Sequence, residues 1–287
     1  MGVTRALLEI FFKCSHDAFF KGKKILTLGK IYPFLADSDF DLCRSQGYSL
    51  SRSKSAFAET LFLDSLGAES LESLDVSSYQ GADIIADLNH PLAVSLLSKY
   101  DVVFDAGTLE HLFDLKTSLT NIFSLLTVGG IYYSGVVCSG WVDHGFYQFS
   151  PTFFVDFARH NSDCLELVDL LVADVYGARF WSYLSLGPQQ KKILFSSDLK
   201  LGVIGVLKKT NDRDLRFDVM QSKYLNVYAS GKDVLGSERR DAMRRVGRLI
   251  VRLAKVPPRL ISESSSFPLS LRLSIAGYLD RLSSMNS

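Results

Sequence analysis

The chain has 287 residues, 47% of them hydrophobic and 22% charged, the composition of a folded globular chain and too apolar for a disordered one. The length suits one large domain, or one domain plus an appendage. Thirty-two basic and 31 acidic residues leave a formal net charge of +1, which gives no overall bias toward nucleic acid, and no nucleic-acid partner is expected.

Residues 4–20 read as a helix, with Leu7, Leu8, Phe11 and Phe12 on one face. The apolar run Ile25 to Leu28, closed by Gly29, predicts a buried strand followed by a turn. Residues 52–67 repeat their apolar positions at helical spacing, and Gly67 suits a C-terminal cap. Short strands are predicted at Leu71–Val76, Ala82–Ala86 and Tyr100–Asp105. A long helical pattern runs from Leu109 to Leu126, until Gly129-Gly130 breaks it ahead of a strand at Ile131–Val137. Ser150-Pro151 opens another helix with a natural N-cap. Two further strands are predicted at Leu165–Ala173 and Leu201–Leu207. The alternation predicts an α/β fold: a Rossmann-like, doubly wound, mostly parallel sheet with helices on both faces, spanning residues 1–209.

Residues 210–287 read as a basic, mainly helical C-terminal extension. Residues 238–256 form an amphipathic helix with Met243, Val246, Ile250 and Leu253 as its stripe. Between 238 and 259 there are eight basic residues against two acids. Three readings stand for this helix: packing on the main domain, a peripheral contact with an anionic membrane surface, or contact with a protein or nucleic acid.

In a doubly wound sheet, ligands bind at the carboxyl ends of the strands. Here those ends carry Gly29, Asp75, Asp87 and the run Asp105 to Gly107. A glycine turn lets backbone approach a ligand, an acid after the second strand can accept from both ribose hydroxyls, and a polar residue after the third can read an adenine amino group. The set fits an adenosine ligand; capping of strand ends is the plainer alternative.

The order of these residues, with ADIIADLN, YDVVFDAGTLEHL and the VGG before the fifth strand, resembles a class I S-adenosylmethionine-dependent methyltransferase. It looks most like a bacterial subgroup with a GTLEH segment (Gly107 to His111) and an HGFYQFSP segment (His144 to Pro151). The resemblance covers roughly residues 20–209. It implies S-adenosylmethionine as cofactor, held by Gly29, Asp75, Asp87, Leu88, Asp105, Gly107 and Thr108. It also implies a small-molecule or glycan acceptor, since proteins of the subgroup are associated with surface-polysaccharide or secondary-metabolite gene clusters. One departure stands out. The family's usual loop after the first strand is G-x-G-x-G, and here the segment is LTLGKIYPFL, with Gly29 alone.

Methyl transfer to a hydroxyl benefits from a general base, and histidine is the side chain best poised near neutral pH. His144 is the expected base, with Glu110 and His111 as positioning groups. The plainer role of each histidine is a structural hydrogen bond. Phe146, Tyr147, Phe149, Phe153, Phe154 and Trp141 wall either an acceptor pocket or the core.

The four cysteines, Cys14, Cys43, Cys138 and Cys164, stand far apart with no C-x-x-C pair and no zinc-type spacing. Isolated thiols are expected, with no disulfide framework and no metal site. Charges interrupt the apolar residues near the first phenylalanines, so no secretory leader is read, and Ala6 breaks the myristoylation pattern. With no run of 18 apolar residues, no membrane span is expected. The chain is expected in the cytoplasm, or peripherally at the inner face of the membrane. Phosphate-loop, nucleophile-elbow, metalloprotease and dinucleotide-binding motifs are absent from the sequence. The leading expectation is O-methylation of a sugar or small-metabolite hydroxyl. Its rival is a catalytically silent methyltransferase-like module acting through the basic helix.

Overall fold

The computed structural model describes residues 2–177, 179–183, 199–222, 224 and 225. Two compact units divide the chain, Met1–Val219 and Met220–Ser287, and the basic helix expected at 238–256 lies outside the described residues. The first unit contains strands β1 (Gly2–Thr4), β2 (Lys24–Leu28), β3 (Tyr32–Phe34), β4 (Ser70–Asp75), β5 (Ile84–Ile85), β6 (Tyr100–Asp105), β7 (Leu126–Ser139), β8 (Leu165–Asp174), β9 (Arg179–Ser182) and β10 (Leu201–Lys209). Its helices are α1 (Arg5–Cys14), α2 (Asp37–Ser45), α3 (Phe57–Glu59, continued by a wider π-type turn over Thr60–Ser65), α4 (Leu115–Leu125) and α5 (Pro151–His160).

Eight strands form one sheet in the order β5-β4-β2-β6-β7-β10-β8-β9. Strands β5, β4, β2, β6 and β7 pair in parallel, whereas β10 runs antiparallel between β7 and β8. The chain starts mid-sheet at β2, winds outward through β4 to β5, then returns to β6 on the other side. That reversal places a crevice at the carboxyl ends of β2 and β6. Side chains alternate between two cores at the strand period of two. Ile25, Val102, Phe104, Tyr133 and Ile204 pack under α1 and the Thr60–Ser65 turn. Leu26, Val103, Tyr132 and Val203 pack under α4 and α5. Helices therefore cover both faces, as the alternation of elements predicts.

The departures from the sequence reading have local causes. The predicted helix at 109–126 is two pieces. Leu109–His111 is one 3-10 turn, the chain then extends, and Asp114 starts α4 afresh by accepting the Thr117 amide at 3.0 Å. Strand β7 begins at Leu126, three residues ahead of the glycine pair, and absorbs it as an irregularity opposite Tyr100 and Val102. Gly129 takes φ +89° there. Helix α2 was not expected, because DSDFDLCRS shows little apolar period; Asp39 secures it by accepting the Ala36 amide and pairing with Arg5. Of the predicted 4–20 helix only Thr4 belongs to β1, which pairs in parallel with β3, and the rest is α1 followed, after a left-handed Ser15, by one 3-10 turn at His16–Phe19. Contacts of the first unit continue past residue 209: Asn161 accepts the Arg216 amide at 2.7 Å, and Asp163 pairs with Arg216 at 2.6 Å.

Candidate active site

The loop after β6 is built around a buried acid. Asp105 is fully buried, and its carboxylate accepts the amides of Gly107 (3.1 Å), Thr108 (2.6 Å) and Leu109 (3.3 Å) and the hydroxyl of Tyr132 (2.8 Å). Gly107 takes φ +103°, which only glycine adopts freely. Thr108 donates its hydroxyl to the Leu28 carbonyl at 2.7 Å, tying the end of β6 to the end of β2. This clamp turns Glu110 inward and His111 beside it.

The loop after β7 then folds back on this turn. The amides of Phe146 and Tyr147 donate to the Glu110 carbonyl at 2.7 and 3.3 Å. Gly145 sits directly against Glu110, at φ +70°. The two segments named from the sequence, Gly107–His111 and His144–Pro151, are thus in contact. His144 Nε2 stands 3.9 Å from Glu110 Oε1, and the rings of His111 and His144 meet edge to face at 5.0 Å. Glu110 is 1% exposed, and its Oε2 has no hydrogen-bond partner among the described residues. Burial raises the Asp105 carboxyl, and its four donors oppose that rise. Burial, and then the charge of Asp105, pushes the Glu110 carboxyl up to about 8. Burial followed by the neighbouring His144 holds the His111 imidazole below its ordinary value.

Glu110, His111 and His144 line a cavity of about 430 Å³, whose walls include Leu7, Phe34, Val136, Trp141 and Val203. Gly135 and Gly202 also line it, and a Cβ at Gly202 would stand 3.1 Å from Val175 Cγ2, so glycine there gives the cavity wall room. The sequence reading missed these two glycines. Their position inside apolar strand patterns is the signal that could have found them. It also missed Tyr132, the hydroxyl that completes the Asp105 clamp.

The aromatic set divides. Trp141 lines the cavity, held by an indole hydrogen bond to the Leu201 carbonyl at 2.8 Å. Phe146 is exposed and meets Phe113 edge to face. Tyr147 donates to the Phe113 carbonyl, and Gln148 accepts the Trp141 amide. Phe149, Phe154 and, partly, Phe153 belong to the core beside α4 and α5, so the pocket-wall role falls on Trp141.

The adenosine-type residues lie at the neighbouring strand ends. Gly29 turns at φ +77°, its amide bonded to the Leu74 carbonyl at 2.7 Å. Asp75 closes β4, and its carboxylate has one donor among the described residues, the Ser77 amide at 3.3 Å. That leaves it able to accept two ribose hydroxyls, so the residues present fit an adenosine group at this end. Asp87 is more occupied: its Oδ1 accepts the Asn89 amide and side chain at 2.8 and 2.9 Å, and these bonds hold its carboxyl below the usual range. Leu88 is buried, and its carbonyl accepts from Ser118 and Asn121. The departure from G-x-G-x-G has a structural counterpart. After Gly29 the chain runs as β3 beside β1, Ile31 packs into the core, and Lys30 pairs with Asp83 at 3.3 Å.

The strand order and the antiparallel β10 define a Rossmann-like, doubly wound sheet of the class I methyltransferase type. No protein-family model matches the chain, and no curated protein matches it significantly. Solved structures with a similar architecture include a 1,6-didemethyltoxoflavin-N1-methyltransferase from Burkholderia thailandensis, with its substrate and S-adenosylhomocysteine bound. It is 13% identical, at a TM-score of 0.39 over 72% of this chain and 77% of that one. A branched-chain polyamine synthase from Thermus thermophilus, with 5'-methylthioadenosine bound, is 16% identical at 0.40, over 75% of this chain and 59% of that one. An S-adenosylmethionine-dependent methyltransferase from Archaeoglobus fulgidus is 13% identical at 0.38, over 72% and 94%. The fold assignment rests on the strand order of this chain itself.

Proposed function

We propose that the chain is an S-adenosylmethionine-dependent methyltransferase acting on a small-molecule or glycan hydroxyl. The observation that carries the reading is the crevice at the switch point of the sheet. Its two ends offer an under-used carboxylate at Asp75 and, beyond Gly107, the Glu110–His111–His144 cluster facing a cavity.

Gly29, Asp75, Asp87, Leu88, Gly107 and Thr108 would hold the cofactor, with Asp75 accepting from its ribose; Asp105 acts beneath them by shaping the loop. When bound, the cofactor supplies an already activated methyl group. The chain's own work is then to align an acceptor and remove its proton. The apolar walls of the cavity exclude water, and Trp141 gives a flat surface for a sugar or ring. His144, in the loop that closes over the turn after β6, takes the hydroxyl proton, while Glu110 and His111 fix its orientation.

No described helix is long and apolar enough to cross a membrane. The rival reading, a silent module working through residues 238–256, remains distinct in its consequences. Isothermal titration with S-adenosylhomocysteine separates the two. Micromolar binding that is lost in Asp75→Ala supports the enzyme. No saturable binding at millimolar ligand overturns it and leaves the basic extension as the seat of function.

A further inference from the structure

We propose that Glu110, His111 and His144 form a binding site for one divalent transition-metal ion, with Zn²⁺ the ion the donor set suits best. Spacing in the sequence gave no hint of it, since 33 positions separate His111 from His144 and the fold alone joins them.

One ligand atom from each residue lies within 4.8 Å of the other two. Zinc bonds of roughly 2.0–2.2 Å to nitrogen and oxygen place ligand atoms about 3–3.5 Å apart, so small side-chain rotations complete the site. Two imidazoles and a carboxylate suit zinc and its first-row neighbours rather than magnesium or calcium, which prefer oxygen alone. A second observation points the same way. Glu110 is 1% exposed and lines the cavity, yet Oε2 meets no donor. Buried carboxylate oxygens find partners as a rule, and a cation held with the two imidazoles supplies one. The loops that bring the ligands are pinned together by the Phe146 and Tyr147 amides on the Glu110 carbonyl. The backbone that carries the ligands is therefore set before any ion arrives, and only their side chains have to turn.

Three protein ligands leave a coordination position open, the arrangement of catalytic rather than structural zinc. All three residues line the cavity. A water or an acceptor hydroxyl from it would take the open position, and in the metal-loaded chain His144 is a ligand rather than the free base. This last role rests on the methyltransferase reading; the metal site does not.

The test is titration of the chelator-treated full chain, free of any histidine tag, with ZnCl₂ and separately with CoCl₂, no cofactor being present. We expect one ion per chain at micromolar or tighter affinity, with cobalt giving visible bands of low coordination number. Glu110→Gln, His111→Ala and His144→Ala should each weaken binding by more than about tenfold, while His160→Ala, a histidine on α5, should not. Circular dichroism of each variant establishes folding, and the near-isosteric Glu110→Gln guards against a collapsed loop. No saturable binding at millimolar metal overturns the proposal, as does equal affinity in His144→Ala. S-adenosylhomocysteine titration of the same samples reports on the cofactor site independently, so either reading can fail alone.

Discussion

The carbonyl oxygen of Glu110 lies 2.8 Å from where a Cβ on residue 145 would stand. Gly145 is therefore the contact through which the loop after β7 settles on the turn after β6. Gly145→Ala meets two penalties, a left-handed backbone at φ +70° and a collision with main chain that cannot rotate away. Gly81 provides the control, at φ +72° with nothing within 4 Å of a new Cβ. We expect Gly81→Ala to cost about 1–2 kcal/mol, and Gly145→Ala about 1–3 kcal/mol more, in urea denaturation. Equal costs would mean that the two loops separate easily.

That contact also marks what the sequence could and could not reveal. Tyr100–Asp105 is legible because an apolar run ending in an acid and a glycine has one reading in an α/β chain, and β6 has those bounds. Asp75 and Gly29 were legible as strand ends for the same reason. The break at Leu112–Asp114 was not, since Leu109 to Leu126 keeps a helical period throughout. The turn owes its shape to tertiary bonds from Asp105 and to the loop above it. Likewise Glu110 was legible as a positioning group beside the histidines, but only packing shows that it is buried.

Tyr132 donates to Asp105 Oδ2 at 2.8 Å, both residues being fully buried. Tyr132→Phe removes one of four donors to a buried carboxylate and adds no volume. Hydrogen bonds to charged groups contribute about 1.5–3 kcal/mol, so thermal or urea unfolding should show a loss of that size. Because Asp105 also orders Gly107 and Thr108, S-adenosylhomocysteine affinity should fall in the same variant. A variant as stable as wild type would show that Asp105 is satisfied by the three amides alone.

On the other face of the sheet, His16 lies between the Tyr133 hydroxyl and Asp169 Oδ2, at 2.9 Å from each. A proton on Nε2 satisfies all three groups, with Nδ1 accepting from the phenol. The hydrogen bond from His16 holds the Asp169 carboxyl below its ordinary value of 3.8. A lowered carboxylate pKa stabilises the fold fully above the unfolded value and loses that contribution as pH falls through the folded one. The urea midpoint should therefore drop as pH falls below about 4, and Asp169→Asn should flatten that part of the profile while lowering stability at neutral pH. An unchanged acid limb in the variant would remove Asp169 as its cause.

Burial pushes the thiols of Cys43 and Cys138 up to about 11, and those of Cys14 and Cys164 above their ordinary value. The thiolate is the reacting species, and at pH 8 a thiol with such a value is about 0.1% ionised. Cys43 is moreover fully buried on the inner face of α2, at 0% exposure. A disulfide reagent at pH 8 should label the native chain slowly and all four thiols promptly once denatured. The order of labelling matters as much as the rate. Cys43 should come last, because reaching it requires α2 to part from the core it packs into, whereas Cys14 and Cys138 retain partial exposure. Peptide mapping after brief exposure checks this. Early modification of Cys43 would mean that α2, held by the pairing of Asp39 with Arg5, opens from the core well below the global unfolding transition.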